Sequence, residues 1–199
     1  FLMPFYLIEI RGFSTAQTGL MLAMVPLMLL LFAPISGLLH DRTRWPQQAT
    51  LGVALVSLGL FSLATLGSET HVAFVLLRLA LIGVGSVVFN PPNTSTIMGS
   101  VPRSMLGTAS ASVATSRNVG NAVGLALGSA VVVAVAGVGG SGVSGADVPP
   151  DDLLRGIRAA FLAAASLSLL AIAVSAWRGN PTVVKQPTAP ATLPPAGPR

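Results

Sequence analysis

Five stretches of this chain, residues 12–40, 45–68, 79–102, 118–146 and 159–177, contain no Asp, Glu, Lys or Arg. Most of them exceed the ~18 apolar residues that mark a membrane-crossing segment. Charged residues make up 9% of the 199 and hydrophobic residues 52%, with a mean hydropathy of +0.78. Soluble domains carry roughly 25% charged residues, enough to coat a globule. Here the few charges are also clumped between the apolar windows. A soluble domain, a disordered chain and a disulfide-stapled secreted module are all excluded, and the chain is predicted to be an all-α, polytopic membrane protein whose solvent is the lipid bilayer.

The formal net charge of +5 and a pI near 11.4 do not point to nucleic acid, because the basic residues sit singly between apolar runs and form no stripe. The chain has no cysteine, which excludes disulfides and thiolate metal sites. His40 and His71 fall in different loops, no span holds a pair of carboxylates, and no metal-ligand spacing occurs. Neither an enzyme, a metal site nor a cofactor is expected.

Phe1–Ile10 is apolar but supplies only about half of the ~20 residues that cross ~30 Å of hydrocarbon, and it lacks the basic leader and cleavage site of a signal peptide. It is read as a partial span in a fragment of a longer protein. Further spans are predicted at about 18–39, 49–66, 72–98, 107–136 and 156–177, making one transmembrane bundle over residues 1–178. His40–Gln48 reads as a short basic loop, Gly137–Asp152 as a flexible acidic one, and the Pro-, Ala- and Thr-rich residues 179–199 as a disordered tail. If each segment crosses once, one set of loops collects Arg42, Arg44, Arg103, Arg178, Lys185 and Arg199, and the other holds Arg11, Arg155 and Arg158 among the basic residues. The positive-inside rule makes the first set, and the tail with it, cytoplasmic.

Several residues stand out chemically. Gly37-Leu38-Leu39-His40-Asp41-Arg42-Thr43-Arg44 places a glycine and a charge cluster at a helix end, which reads either as a latch between helix ends or as a solvated turn. Arg117, with Asn118 and Asn121 nearby, lies within a predicted span, where a cation is a functional candidate unless its side chain snorkels to the interface. Arg78 is open to the same two readings. Asn90-Pro91-Pro92-Asn93 removes two backbone donors from its helix and reads as a break, giving either a kink or a cavity contact. Gly120, Gly124 and Gly128 make a smooth stripe for close helix approach.

In that order these segments resemble the Major Facilitator Superfamily. Gly37–Arg44 is similar to its loop motif Gly-x-x-x-Asp-Arg-x-Gly-Arg-Arg in the second-half copy, except that Arg44 replaces the glycine and Trp45-Pro46 the trailing arginines. Arg78-Leu79-Ala80-Leu81-Ile82-Gly83-Val84-Gly85 resembles the Arg-x-x-x-x-Gly-x-Gly pattern of a helix linked to proton coupling. Arg117-Asn118-Val119-Gly120-Asn121-Ala122-Val123-Gly124 resembles the Arg-x-x-Gly-x-x-x-Gly helix of drug:proton antiporters of the QacA/EmrB-like branch. The resemblance implies the C-terminal six-helix half of a proton-coupled exporter of small hydrophobic or cationic compounds in the plasma membrane. Its partners would be the missing N-terminal half, which would carry the proton-titrating carboxylate, the lipid bilayer, the small-molecule substrate and protons. The alternatives are a metabolite importer of the same superfamily and a membrane scaffold with no transport cycle.

Overall fold

The computed structural model describes residues 1–43, 47–137 and 149–177, and these are helical throughout apart from short connections. Helix α1, Leu2–Phe5, widens into a π turn at Tyr6–Ile10. The chain then reverses at Gly12, whose φ of +67° lies where a side chain would be strained. Ser14 opens the next helix with a capping box: its hydroxyl accepts from the Gln17 amide at 3.3 Å, and Gln17 Oε1 accepts from the Ser14 amide at 3.0 Å. Helix α2, Thr15–Leu22, and helix α3, Met24–Thr43, are separated by Ala23 alone and together supply one long apolar span. The interruption falls just ahead of Pro26, whose ring disfavours a continuous turn on its N-terminal side.

Helix α4 covers Gln48–Ala64, α5 Val72–Gly99, α6 Leu106–Val135 (after a 3₁₀ turn at Arg103–Met105) and α7 Pro150–Trp177. Four segments, Thr15–Leu39, Val72–Gly99, Arg103–Val135 and Pro150–Ala173, are long and apolar enough to cross a bilayer. At 17 residues α4 is shorter than these, about 25 Å by the helical rise.

Three expectations need correction. The predicted basic loop from His40 is helical as far as Thr43, so Gly37, Asp41 and Arg42 lie in the last turns of α3; Arg44 is outside the described residues. The predicted acidic loop gives up its end to α7, which begins six residues earlier than expected, at Pro150. A proline is suited to the first helical position, and Asp151 and Asp152 in the first turn complement the positive end of the helix dipole. Asn90-Pro91-Pro92-Asn93 does not break its helix, since α5 runs continuously through both prolines.

Helix α5 is central, packed against α4 and α3, while α7 packs between α4 and α6, and α5 and α6 barely touch. Gly52 and Gly85 let the α4 and α5 backbones cross directly: a Cβ on Gly52 would stand 2.5 Å from the Phe89 amide nitrogen, and one on Gly85 2.7 Å from that of Val56. Gly59 receives Ile82, Gly83 receives Met28 of α3, and Gly156 of α7 lies against Val132 of α6. Such contacts replace the hydrophobic drive that lipid does not provide. A hydrogen bond between the Ser57 and Ser168 hydroxyls adds a polar link from α4 to α7.

The apolar core gathers at one end of the bundle, around Tyr6, Leu7, Leu63, Leu66, Val75, Leu79 and Ile157. There the α4–α5 connection is clasped by three side chains from elsewhere. The Tyr6 hydroxyl donates to the Gly67 carbonyl at 2.7 Å, Arg11 donates to the carbonyl of Ser68, and Arg158 of α7 to that of Leu66. These carbonyls follow the negative end of the α4 dipole, where guanidinium groups are favoured. Elsewhere Leu20, Leu30, Leu77 and Leu170 face outward, as suits a surface solvated by lipid.

Candidate functional site

Proline chemistry on α5 builds the connection to the site. Because Pro91 has no N–H, the carbonyl four residues earlier, on Val87, loses its helical partner. The Ser36 hydroxyl of α3 donates to that carbonyl at 2.9 Å, with both residues buried. Ser36 is held in turn by Gln48, the first residue of α4, whose Nε2 lies 3.3 Å from both the Ser36 carbonyl and hydroxyl. Gln48 is fully buried. This cluster joins three helices, and it adjoins Gly37 at one end and Phe89–Asn90 at the other.

Beyond Val87 the C-terminal part of α5 and the N-terminal part of α6 line an open groove of about 660 Å³. From α5 it takes Phe89, Asn90, Asn93 and Ile97. From α6 it takes Thr108, Ser112 and Ser116 in one row four residues apart, flanked by Ala109, Val113 and Arg117. Neighbours at this spacing share a helix face. Among the described residues none of Asn90, Asn93, Thr108, Ser112, Ser116 or Arg117 has a side-chain hydrogen bond or ion pair, whereas Ser86, Ser129 and Ser166 each bond back to their own helix. The groove is thus apolar at Phe89, Ile97 and Val113, and carries six unengaged polar side chains with a single positive charge.

Three of the sequence-predicted residues, Asn90, Asn93 and Arg117, therefore come together. Arg117 lies about 17 Å along α6 from Leu106, by the helical rise. Asn118 and Asn121 are exposed on α6 and do not line the groove. Arg78 is two turns into α5, half-buried, and its Nη1 is buried with no hydrogen-bond partner among the described residues. Arg42 is exposed at the end of α3. A Cβ at Gly37, Gly120, Gly124 or Gly128 would meet nothing within 4 Å. The three α6 glycines continue the Thr108–Ser112–Ser116 row, but each four-residue step turns by about 40° on a 3.6-residue helix, which carries the row off the α5 side.

Sequence reasoning missed the hydroxyl row, Ser36 and Gln48. The row had a signal, a repeat of Thr or Ser at every fourth residue leading into the glycines. Gln48 had none, since a glutamine in the Trp45-Pro46-Gln47-Gln48 run reads as solvated.

A helical bundle of several apolar spans with a polar groove between two of them defines a multi-pass membrane protein. Its family follows from comparison with known sequences: the model of the Major Facilitator Superfamily matches residues 1–125, and the chain belongs to that superfamily. It is 36% identical over 125 residues to the uncharacterized transporter YebQ of Escherichia coli (strain K12), a match covering 63% of this chain and 27% of that one. It is 31% identical over 126 residues to the riboflavin transporter RibZ of Clostridioides difficile (strain 630), covering 63% and 28%. A tetracycline resistance determinant of Streptomyces rimosus is 30% identical over 137 residues, covering 67% and 39%. The matched region is thus between about a quarter and two-fifths of the length of these relatives. No solved structure matches the chain.

Proposed function

We propose that this chain is the C-terminal half of a secondary active transporter of the drug:proton antiporter branch, exporting small hydrophobic or cationic compounds in exchange for protons. The observation that carries the reading is the groove between α5 and α6. Unengaged polar backbone or side chains at membrane depth are tolerated where they face a wet cavity, and in transporters of this kind such a cavity lies between two halves that rock. By the positive-inside assignment the groove opens toward the cytoplasm, where a substrate for export would load. Ser36 and Gln48 would link the Gly37–Arg42 segment to the groove-lining part of α5, so that displacement of the α3 end is felt at Asn90. No Asp or Glu occurs between Glu69 and Asp147, and the proton-titrating carboxylate is assigned to the absent half. Relatives named for resistance, one of them a tetracenomycin C resistance and export protein of Streptomyces glaucescens, support export; a riboflavin transporter among them supports the alternative of a metabolite importer.

The test is substrate movement in proteoliposomes containing the full-length protein, with and without an imposed pH gradient. Accumulation that follows the gradient in the export direction is expected. Equal rates with and without it would refute antiport, and gradient-driven movement in the opposite direction would favour import.

A further inference from the structure

We infer that the α5–α6 groove selects substrates bearing a negatively charged oxygen group on an apolar body, with Arg117 as the counter-charge, and that it discriminates against cations. The inference rests on the transporter reading above and reverses its expectation of cationic cargo. Every polar side chain on the groove can donate: the Asn90 and Asn93 amides, the Thr108, Ser112 and Ser116 hydroxyls, and the Arg117 guanidinium. None has an intramolecular partner among the described residues. The guanidinium can only donate, and neither α5 nor α6 contains an Asp or Glu to neutralise it. A carboxylate, sulfonate or enolate is an acceptor alone and fits that set, while Phe89, Ile97, Val101 and Val113 suit an apolar or aromatic body. An organic cation would meet like charge at Arg117 with no carboxylate in the groove to offset it.

Two xanthene dyes of similar shape and opposite charge separate the possibilities. Fluorescein, anionic, and rhodamine 123, cationic, would be titrated by fluorescence anisotropy against the full-length transporter in neutral-lipid nanodiscs. Fluorescein is expected to bind at least about tenfold more tightly. Arg117→Gln is expected to weaken fluorescein by roughly ten- to a hundredfold, the range for a hydrogen bond to a charged group, with rhodamine 123 unchanged or improved, and Arg117→Lys is expected to retain most of the affinity. Asn93→Asp, which adds a negative charge without touching Arg117, is expected to shift preference toward rhodamine 123. Tighter binding of rhodamine 123 to the wild type, no measurable fluorescein binding, or fluorescein affinity indifferent to both Arg117→Gln and Asn93→Asp would overturn the inference. Binding that behaves as described in a protein whose transport ignores the pH gradient would remove the antiport reading and leave this one standing.

Discussion

Removing the Ser36 hydroxyl tests whether a helix running through two prolines is sustained from outside itself. Ser36→Ala deletes the only side-chain donor that reaches the Val87 carbonyl among the described residues. That carbonyl has no helical N–H to fall back on, because the residue four positions on is Pro91. Val87 is 3% exposed and Ser36 4%, so water does not replace the lost donor, and an orphaned buried acceptor costs about 1–3 kcal/mol. The lost volume of a single oxygen is negligible beside this, and Gln48 keeps its contact with the Ser36 backbone carbonyl. The expected loss is about 2 kcal/mol, read as unfolding free energy of the full-length protein in mixed micelles.

The informative step is the second substitution. Pro91→Ala restores an amide four residues beyond Val87, so Ser36→Ala in that background is expected to cost less by at least about 1 kcal/mol, within the coupling range of residues sharing one network. Pro92→Ala is the control, since it restores a partner for Val88 and leaves Val87 as it was; no rescue is expected. If Ser36→Ala costs the same in the wild-type, Pro91→Ala and Pro92→Ala backgrounds, the account of how α5 passes through its prolines is wrong.

Gly52→Ala drives a methyl against the backbone of Phe89, which has no rotamer to change, and is expected to cost about 1–3 kcal/mol and to impair transport because Phe89 lines the groove; thermal unfolding within about 1 °C of wild type would count against the close crossing. Gly59→Ala meets the movable Ile82 side chain instead and is expected to cost less than Gly52→Ala in the same melt. Tyr6→Phe and Arg158→Met each remove a donor from adjacent carbonyls, and about 1 kcal/mol is expected from each, with non-additive loss in the double variant; additive losses would show that the clasp does not act as a unit. Arg78→Met removes a buried donor without a partner among the described residues and is expected to raise the unfolding temperature while lowering transport, so destabilisation by this change would mean that the guanidinium is engaged.

The spans were legible because they follow from one requirement, that a segment dissolved in lipid carries few charges over some twenty residues. Their ends were less so, since a helix end depends on which groups take up its terminal N–H and C=O. Pro150-Asp151-Asp152 looks like a turn by composition but is a favourable helix start once the dipole is considered. Lateral neighbours were harder still. In water an apolar stripe shows which face of a helix is buried, but in lipid every face is apolar and the stripe disappears. Glycine spacing did not substitute for it. Gly120, Gly124 and Gly128 advertise a smooth surface, yet nothing described approaches it, while Gly52, with nothing to draw attention, and Gly85, noted only as part of a family motif, carry the direct backbone crossing of α4 and α5.

The same physics explains which parts of the site could be seen from sequence. A charge inside an apolar window is conspicuous because it costs so much to leave unsatisfied there, which singles out Arg117, while Asn90 and Asn93 stand out through the proline pair between them. What selects them cannot say whether they converge, because convergence depends on how α5 and α6 sit against each other, and α5 is held at Val87 by Ser36, 51 positions away in the chain. A proline pair usually signals an interruption, but here the missing amide is answered from a neighbouring helix and α5 continues, carrying Asn90 and Asn93 onto the groove. Pro91 is therefore part of how the site is built, and a variant that restores an amide at position 91 would free the Val87 carbonyl from its dependence on Ser36 of α3.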